Sequence, residues 1–436
     1  MKRIEQVGPG GLHLVRPGAR VDRLEIFFDL VYVFAFYNIT RVTAGELTGR
    51  GLIAGMLVLA LLWWAWCSHM VLANRVRVGE GSAPLAMFMA MAAVFITSLS
   101  IPQAFIDEPG GLPGPLVVPC CYLLIRGLHL TLYWFAARTA QEAARPRWLR
   151  LFTPPLLATS LLVVAGLIPY HGFAPDTAFR LQAACWLAAL AVEYAAGFAL
   201  AGKGWAVLSA NHWVERFELI LMVALGELII SIGVGSDLID RPITWPAVFG
   251  AGFAVAVTAA VWWLYFDLVA PAAVQAFHAS AHGEPRTRLA RDAYAYLHLP
   301  MIAGLILVAL GMEEVLHQLG TPDIDLAAPV DGPAVPLAFG GLALFLLSHL
   351  GFQLRTLGTV TGSRVVAIAG LAVTAPVAVR IPALAGLALL TGVCVCLVLA
   401  ELVLLSGSRR RLRRESLRER LTHEARESAW RRRRYR

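Results

Sequence analysis

Charge is scarce in this chain. Only 15% of its 436 residues are Asp, Glu, Lys or Arg, 58% are hydrophobic, and the mean hydropathy is +0.66. A soluble domain of this size could not cover so much apolar surface with so few charges. Cysteine is sparse too. Cys67, Cys120, Cys121, Cys185, Cys394 and Cys396 all lie in or beside apolar runs, which excludes a disulfide framework and suits small buried hydrophobes. No nucleophile elbow, phosphate loop or dinucleotide fingerprint stands in a strand–turn–helix context, so no cofactor is expected. His278 and His282 have i, i+4 spacing without the flanking acid of a metallohydrolase, and no metal site is expected either. The first twenty residues are polar, with Pro9 and Pro17. No cleavable leader is read there, so the first apolar helix should stay and span.

What the chain has in abundance is long apolar runs, each near the roughly 20 residues that cross a bilayer. Twelve can be placed, at 24–40, 51–73, 84–105, 116–137, 151–170, 180–201, 213–235, 245–268, 294–315, 334–354, 365–379 and 382–405. The first, fifth and eleventh are short or interrupted. The expected fold is all-α, a polytopic transmembrane helical bundle of about twelve spans. Arg75 and Arg77, then Arg138, Arg145, Arg147 and Arg150, then Arg286, Arg288 and Arg291 fall in alternate loops; the intervening loops hold Asp107, Glu108, Asp237, Asp240, Asp323, Asp325 and Asp331. Arg41, Arg50 and Arg380 depart from that alternation. Basic loops stay cytoplasmic, which puts both termini there when the spans number twelve.

The net charge of +8 is concentrated in a tail, Arg409–Arg436, where arginine clusters alternate with Glu415, Glu419, Glu424 and Glu427. Beside a membrane span such a tail is expected to touch anionic lipid headgroups. Without a known module, nucleic acid is not an expected partner.

The two halves echo one another. Arg23-x-Glu25 parallels Arg216-x-Glu218, Trp63-Trp64 parallels Trp262-Trp263, Arg75-x-Arg77 parallels Arg286-x-Arg288, and His129 parallels His349. Six helices per half is an even number, so the repeats would be parallel, related by an axis along the membrane normal. The expected division is a cytoplasmic segment 1–22, a first six-helix repeat 23–202, a second repeat 203–406 and the basic tail 407–436.

Acids and arginines inside apolar helices must hide in a bundle or line a wet cavity. In the first span Glu25 and Asp29 share a helical face, continued by Tyr32 and Phe36, with Asn38 and Thr40 at the far end. Asp29 can be a working carboxylate or can pair with an arginine of a neighbouring helix for packing alone. The seventh span opens on His212, Glu215, Arg216 and Glu218, where acids complement a helix N-terminus. Glu227 returns to nearly the face of Arg216 about 16 Å deeper, as a proton or cation site or as a neutral buried acid. Arg23 and Arg216 are expected to hold the cytoplasmic helix ends, with Glu25 and Glu218 as local partners. Asp267 suits the end of span eight, and His298 lies near the cytoplasmic face. Arg126 and His129 share a face that a carboxylate could pair with; Glu193 and Glu401 stand alone, and Glu313 and Glu314 should be solvated at an outer helix end.

Three stretches carry a resemblance: Arg23-Leu-Glu-Ile-Phe-Phe-Asp-Leu-Val-Tyr-Val-Phe-Ala-Phe36, His212-Trp-Val-Glu-Arg-Phe217 with Ala224-Leu-Gly-Glu227, and Arg291-Asp-Ala-Tyr-Ala-Tyr-Leu-His-Leu-Pro300. In these the chain resembles the bacterial low temperature requirement A (LtrA) family. The resemblance implies a multi-pass protein of the bacterial plasma membrane associated with cold stress, and it names a growth phenotype rather than an activity. Leu228 departs from the small hydroxyl residue the family commonly has there, which weakens any hydroxyl-assisted site beside Glu227. The Arg-Leu-Glu-x-Phe-x-Asp run is also similar, more distantly, to the Arg…Phe-Ser-Asp first-helix motif of certain potassium channels, with Phe28 in place of the serine. That similarity implies that spans one and seven line a pore. The functional expectation is transport of a small ion or solute, with a cation channel, a membrane-embedded enzyme using the His212–Glu215 cluster and His298, or a scaffold acting through its tail as alternatives. Homo-oligomerisation is left open.

Overall fold

The computed structural model describes residues 13–15, 20–139, 145–201, 205–238, 242–321, 327–330, 332–407 and 409–410. Among these residues the chain is helical, with no β-structure beyond isolated bridges. The long helices are α1 (Arg23–Gly45), α2 (Gly49–Ala73), α3 (Ala83–Leu99), α4 (Gly114–Thr139), α5 (Arg145–Leu167), α6 (Pro175–Leu200), α7 (Ala210–Ile230) and α8 (Trp245–Phe266). Two short ones follow, α9 (Val269–Ala279) and α10 (Glu284–Leu289), then α11 (His298–Leu319), α12 (Ala334–Leu357), α13 (Gly362–Ala378) and α14 (Ala383–Leu404).

Ten helical segments are long and apolar enough to cross a membrane; α3 and α13, at 17 residues each, fall short of that length. The third run was expected to reach residue 105, but the helix stops at Leu99 and tightens into a 3-10 turn at Ile101–Gln103 around Pro102, which has no N–H to extend it. Pro376 lies two residues before the end of α13. The stretch 269–293, expected as loop, instead forms α9 and α10 and runs through a π-helical turn (Ala290–Tyr296) into α11. His278 lies in α9 and His282 beyond its end, so the two do not share one helical face.

Packing follows a regular order. α1 packs on α2 and α3, α3 on α4, α4 on α5, α5 on α6, and α6 returns to α2. α7 packs on α8 and α11, α11 on α12, α12 on α13, α13 on α14, and α14 returns to α8. Helices α1, α7 and α11 meet in the middle. The tightest crossing is α11 on α12, where a Cβ on Gly304 or Gly341 would lie 2.6 Å from the carbonyl oxygen of the other. In an apolar solvent, close backbone approach of this kind replaces the hydrophobic effect as the source of helix affinity. Outward surfaces are apolar, with Phe27, Leu30, Phe95, Leu187 and Val366 exposed as lipid contact would require.

Several of the described loop residues lie at two ends. At one, the N-terminal residues 13–15 pair with the α2–α3 loop (Val15 N to Arg75 O 2.9 Å, Arg77 N to His13 O 2.8 Å), Asn74 binds the segment before α7, and Arg409 forms an ion pair with Asp267 at 2.6 Å. At the other, Pro329 bridges to Pro382 and Gly320 packs on Leu238.

Candidate functional site

The site begins at the first turn of α1. Asp22 caps that helix, accepting from Leu24 N at 3.0 Å, while Glu25 Oε1 reaches back to Asp22 N at 3.2 Å. This reciprocal cap fixes the Glu25 side chain and turns its second oxygen toward α7. Glu25 Oε2 meets His212 Nε2 at 2.6 Å and Arg216 Nη1 at 3.2 Å; Asp29 Oδ1, one turn on, accepts from Arg216 Nη2 at 2.7 Å and from Trp66 Nε1 at 2.8 Å. All five side chains are buried. The Trp66 ring also lies beneath the guanidinium, 5.6 Å from its carbon to the ring centroid, adding a cation–π contact.

The protonation of His212 follows from its other neighbour. Asn74 Oδ1 accepts from the N–H groups of Leu208 and Ser209, so its amide nitrogen points to Ser209 O and to His212 Nδ1 at 3.2 Å. Nδ1 is therefore an acceptor, and the imidazole proton sits on Nε2 and is donated to Glu25. A neutral histidine leaves two carboxyls against one guanidinium. Asp29 Oδ2 and Arg216 Nε have no hydrogen-bond partner among the described residues.

The same two helices meet again about 16 Å farther along, eleven residues at 1.5 Å each. Thr40 Oγ1 and Ser231 Oγ each donate to Glu227 Oε1 at 2.7 Å, and Oε2 has no partner among the described residues. Beyond Ser231 the helix widens into a π-helical turn (Ser231–Gly235), a bulge common at functional sites. Gly235 lets this turn close on Glu313 of α11, since a Cβ there would sit 2.5 Å from the Glu313 carboxyl. Glu25 with His212, Asp29 with Arg216, and Thr40 with Glu227 are each 187 residues apart. A constant separation means that α1 and α7 run parallel and in step.

These polar residues stand inside the stretches that compare with known proteins. A model of the bacterial low temperature requirement A protein (LtrA) matches residues 20–399. The chain belongs to the LtrA family. It is also similar to the uncharacterized protein RA0937 of Rhizobium meliloti (strain 1021), 26% identical over 331 residues that cover 72% of this chain and 74% of that protein. This LtrA-family chain is thus a membrane protein with ten span-length apolar helical segments among the described residues, and both polar levels of its α1–α7 seam lie within the matched region. The hydroxyls at Glu227 come from Ser231, one turn after the departure at Leu228, and from Thr40 of α1.

The remaining residues singled out by sequence lie as follows. Arg23 is exposed at the first position of α1, whereas Arg216 is buried at the seventh position of α7, so the two do not occupy matching places. Arg216 pairs across to α1 and not locally with Glu218, which lies within electrostatic reach of Tyr265 and Tyr294. Glu215 accepts from Val21 N at 3.3 Å. Asp267 pairs with Arg409. His298 is buried against Tyr265 OH at 2.8 Å and Ala293 O at 3.1 Å, with Phe217, Tyr294 and Phe352 around its ring. His212 and Glu215 do not join into one catalytic group: His212 turns to Glu25, Glu215 to the backbone.

Three features were missed in the sequence. Glu313, expected to be solvated, is buried, because α11 continues to Leu319. Glu193 is not alone: Arg126 grips it with Nη2–Oε2 2.9 Å and Nε–Oε1 3.2 Å, and Tyr122 and Trp64 donate to the same carboxylate. Glu401 is held likewise by Arg364, at 2.7 and 3.1 Å, with His349 Nδ1 2.8 Å from the guanidinium. The available signal was charge balance, since an arginine and a glutamate in separate apolar runs each need a partner.

Proposed function

We propose that this protein carries a small ion or solute across the bacterial plasma membrane along the α1–α7 seam, between two parallel six-helix repeats. The observation that carries the reading is the pair of buried polar levels at one constant register, with a carboxyl oxygen at each level unpartnered among the described residues. Structure inside a bilayer is served by closed ion pairs such as Arg364–Glu401; open carboxyls are expected where something binds and leaves.

Several features support the twelve-span, two-repeat layout. The order of helix packing in α1–α6 recurs in α7, α8 and α11–α14, and α1 runs parallel to α7. Each half holds a buried arginine–glutamate pair with a histidine beside it, Arg126–Glu193 with His129 and Arg364–Glu401 with His349. Residues 13–15 and the α2–α3 loop with Arg75 and Arg77 pair with each other, and Arg409 pairs with Asp267 at the end of α8; this supports a cytoplasmic assignment of that end under the positive-inside rule. The tail beyond Arg410 lies outside the described residues; its part in this reading is to touch anionic headgroups. A potassium-like channel is the alternative and rests on the short first-helix motif alone. Glu227, a buried carboxyl held by hydroxyls alone, favours binding and release over free conduction.

The test is flux into proteoliposomes, first of potassium and protons, then of organic solutes. Glu227→Gln is expected to abolish flux while the protein stays folded and inserted, and Asp29→Asn to impair it. Normal flux in Glu227→Gln would remove that residue from the mechanism, and product formation from a lipid extract without flux would replace transport with catalysis.

A further inference from the structure

Glu227 is not the only acid in its neighbourhood. The Glu313 carboxyl, presented from α11, packs on the π-helical turn that begins at Ser231, 2.5 Å from where a Cβ on Gly235 would lie, and is in electrostatic reach of Glu227, Glu314 and Asp237. Glu227 itself accepts from the hydroxyls of Ser231 and Thr40. Among the described residues no arginine or lysine forms an ion pair with either acid, in contrast to the other buried carboxylates. Glu227 is 0% exposed and Glu313 7%, and each keeps an Oε2 without a hydrogen-bond donor. Elsewhere in the interior, Glu25, Asp29, Glu193 and Glu401 all have an arginine. Among the described residues the Glu227–Glu313 pair is thus buried without a cationic partner, whereas Glu25 and Asp29 share the guanidinium of Arg216.

Two carboxylates cannot both stay ionised in a low-dielectric interior without a positive charge between them. The donors available are all oxygens: two carboxyls, from α7 and α11, and the hydroxyls of Thr40 and Ser231. Oxygen-only sets suit hard cations, and soft or borderline metals prefer nitrogen and sulfur. The approach is acidic as well, with Asp237 58% exposed and Glu314 half-buried above the pair. Asp237 lies 3.5 Å from His317, and Arg41 of α1 is exposed. α8, packed against the π-helical turn, has no titratable side chain from Trp245 to Trp263.

We propose that Glu227 and Glu313, with Thr40 and Ser231, form a binding site for a hard metal cation that exchanges with protons at the outer half of the α1–α7–α11 junction. The inference rests on the transport reading only in placing this site on the translocation path. When the cation arrives, the carboxyl proton leaves toward the acidic approach; when the cation leaves, a proton returns.

The experiment is thermal unfolding of the full chain in detergent, titrated with sodium, potassium or calcium chloride, with choline chloride matching ionic strength. A saturable rise in melting temperature with at least one metal salt is expected, absent with choline and lost in both Glu227→Gln and Glu313→Gln. The apparent affinity should weaken about tenfold for each unit of falling pH wherever one proton is displaced per cation. Gly235→Ala, which presses on the Glu313 carboxyl without removing it, should weaken binding and leave both acids in place. An equal rise with choline, or a rise that persists in both glutamine variants, would overturn the site. Cation binding without flux would overturn transport and leave the site standing. Flux with unchanged cation dependence in Glu313→Gln would do the reverse.

Discussion

Arg216→Leu is the sharpest probe of the inner cluster. The arginine is 1% exposed and serves two carboxyls, at 2.7 and 3.2 Å, while its plane rests on Trp66. Leucine restores the apolar volume but leaves Glu25 with the His212 proton and Asp29 with the Trp66 N–H. Removing one partner of a buried ion pair costs roughly 3–5 kcal/mol, and the lost cation–π contact adds about 1 kcal/mol. Asp29→Asn alone should cost about 1–3 kcal/mol, because Arg216 keeps Glu25. In the double variant Arg216 and the Asp29 charge are both gone, so the two losses should not add: a coupling of about 2 kcal/mol or more is expected. Arg216→Lys should fall between, since one ammonium cannot span both carboxyls. The assay is reversible unfolding in mixed micelles, followed by tryptophan fluorescence, for all four members of the cycle. Additivity within about 0.5 kcal/mol would refute the pairing.

The other expectations are simpler. Arg364→Met should destabilise by about 3–5 kcal/mol, and adding Glu401→Leu in the same chain should recover most of it, because an apolar pair replaces a closed ion pair at little cost; the same unfolding assay reads both. Gly304→Ala should cost about 1–3 kcal/mol by pushing on the backbone of α12, whereas Gly127→Ala, with open space around it, should be neutral or stabilise by up to about 1 kcal/mol. Truncation after Arg410 should leave flux intact and abolish binding to vesicles rich in anionic lipid, each basic residue near the surface contributing about 1 kcal/mol; lost flux would give the tail a role in the transport step itself.

The helices were legible because hydrophobicity is local, and a span declares itself within its own residues. Pairing is not local. Glu25 and Arg216 were each recognisable as misplaced in an apolar helix, but nothing in the chain aligns two segments 187 residues apart. The local alternative, Arg216 with Glu218, was readable as unsound, because residues two apart point to opposite sides of a helix. Asp29 was read as open to pairing with an arginine from a neighbouring helix, and Arg216 occupies that place. Arg126 and Glu193 were each noticed, and only the fold of α2, α4 and α6 joins them. Glu313 was misjudged because the end of α11 was placed four residues early; an acid six residues inside a helix has a different solvent from one at its tip.

The in-step seam between α1 and α7 behaves like a toothed rail with unequal ends. Arg216 already touches carboxyls at separations of both 187 and 191 residues. Sliding one helix past the other by a single turn, about 5.4 Å, would hand the guanidinium wholly from Asp29 to Glu25 and keep it paired. The same slip would carry Glu227 from Thr40 to Phe36, which has no side-chain hydroxyl to offer. One end of the rail has a second notch and the other has none, so any such displacement is felt first by the acid at the outer half.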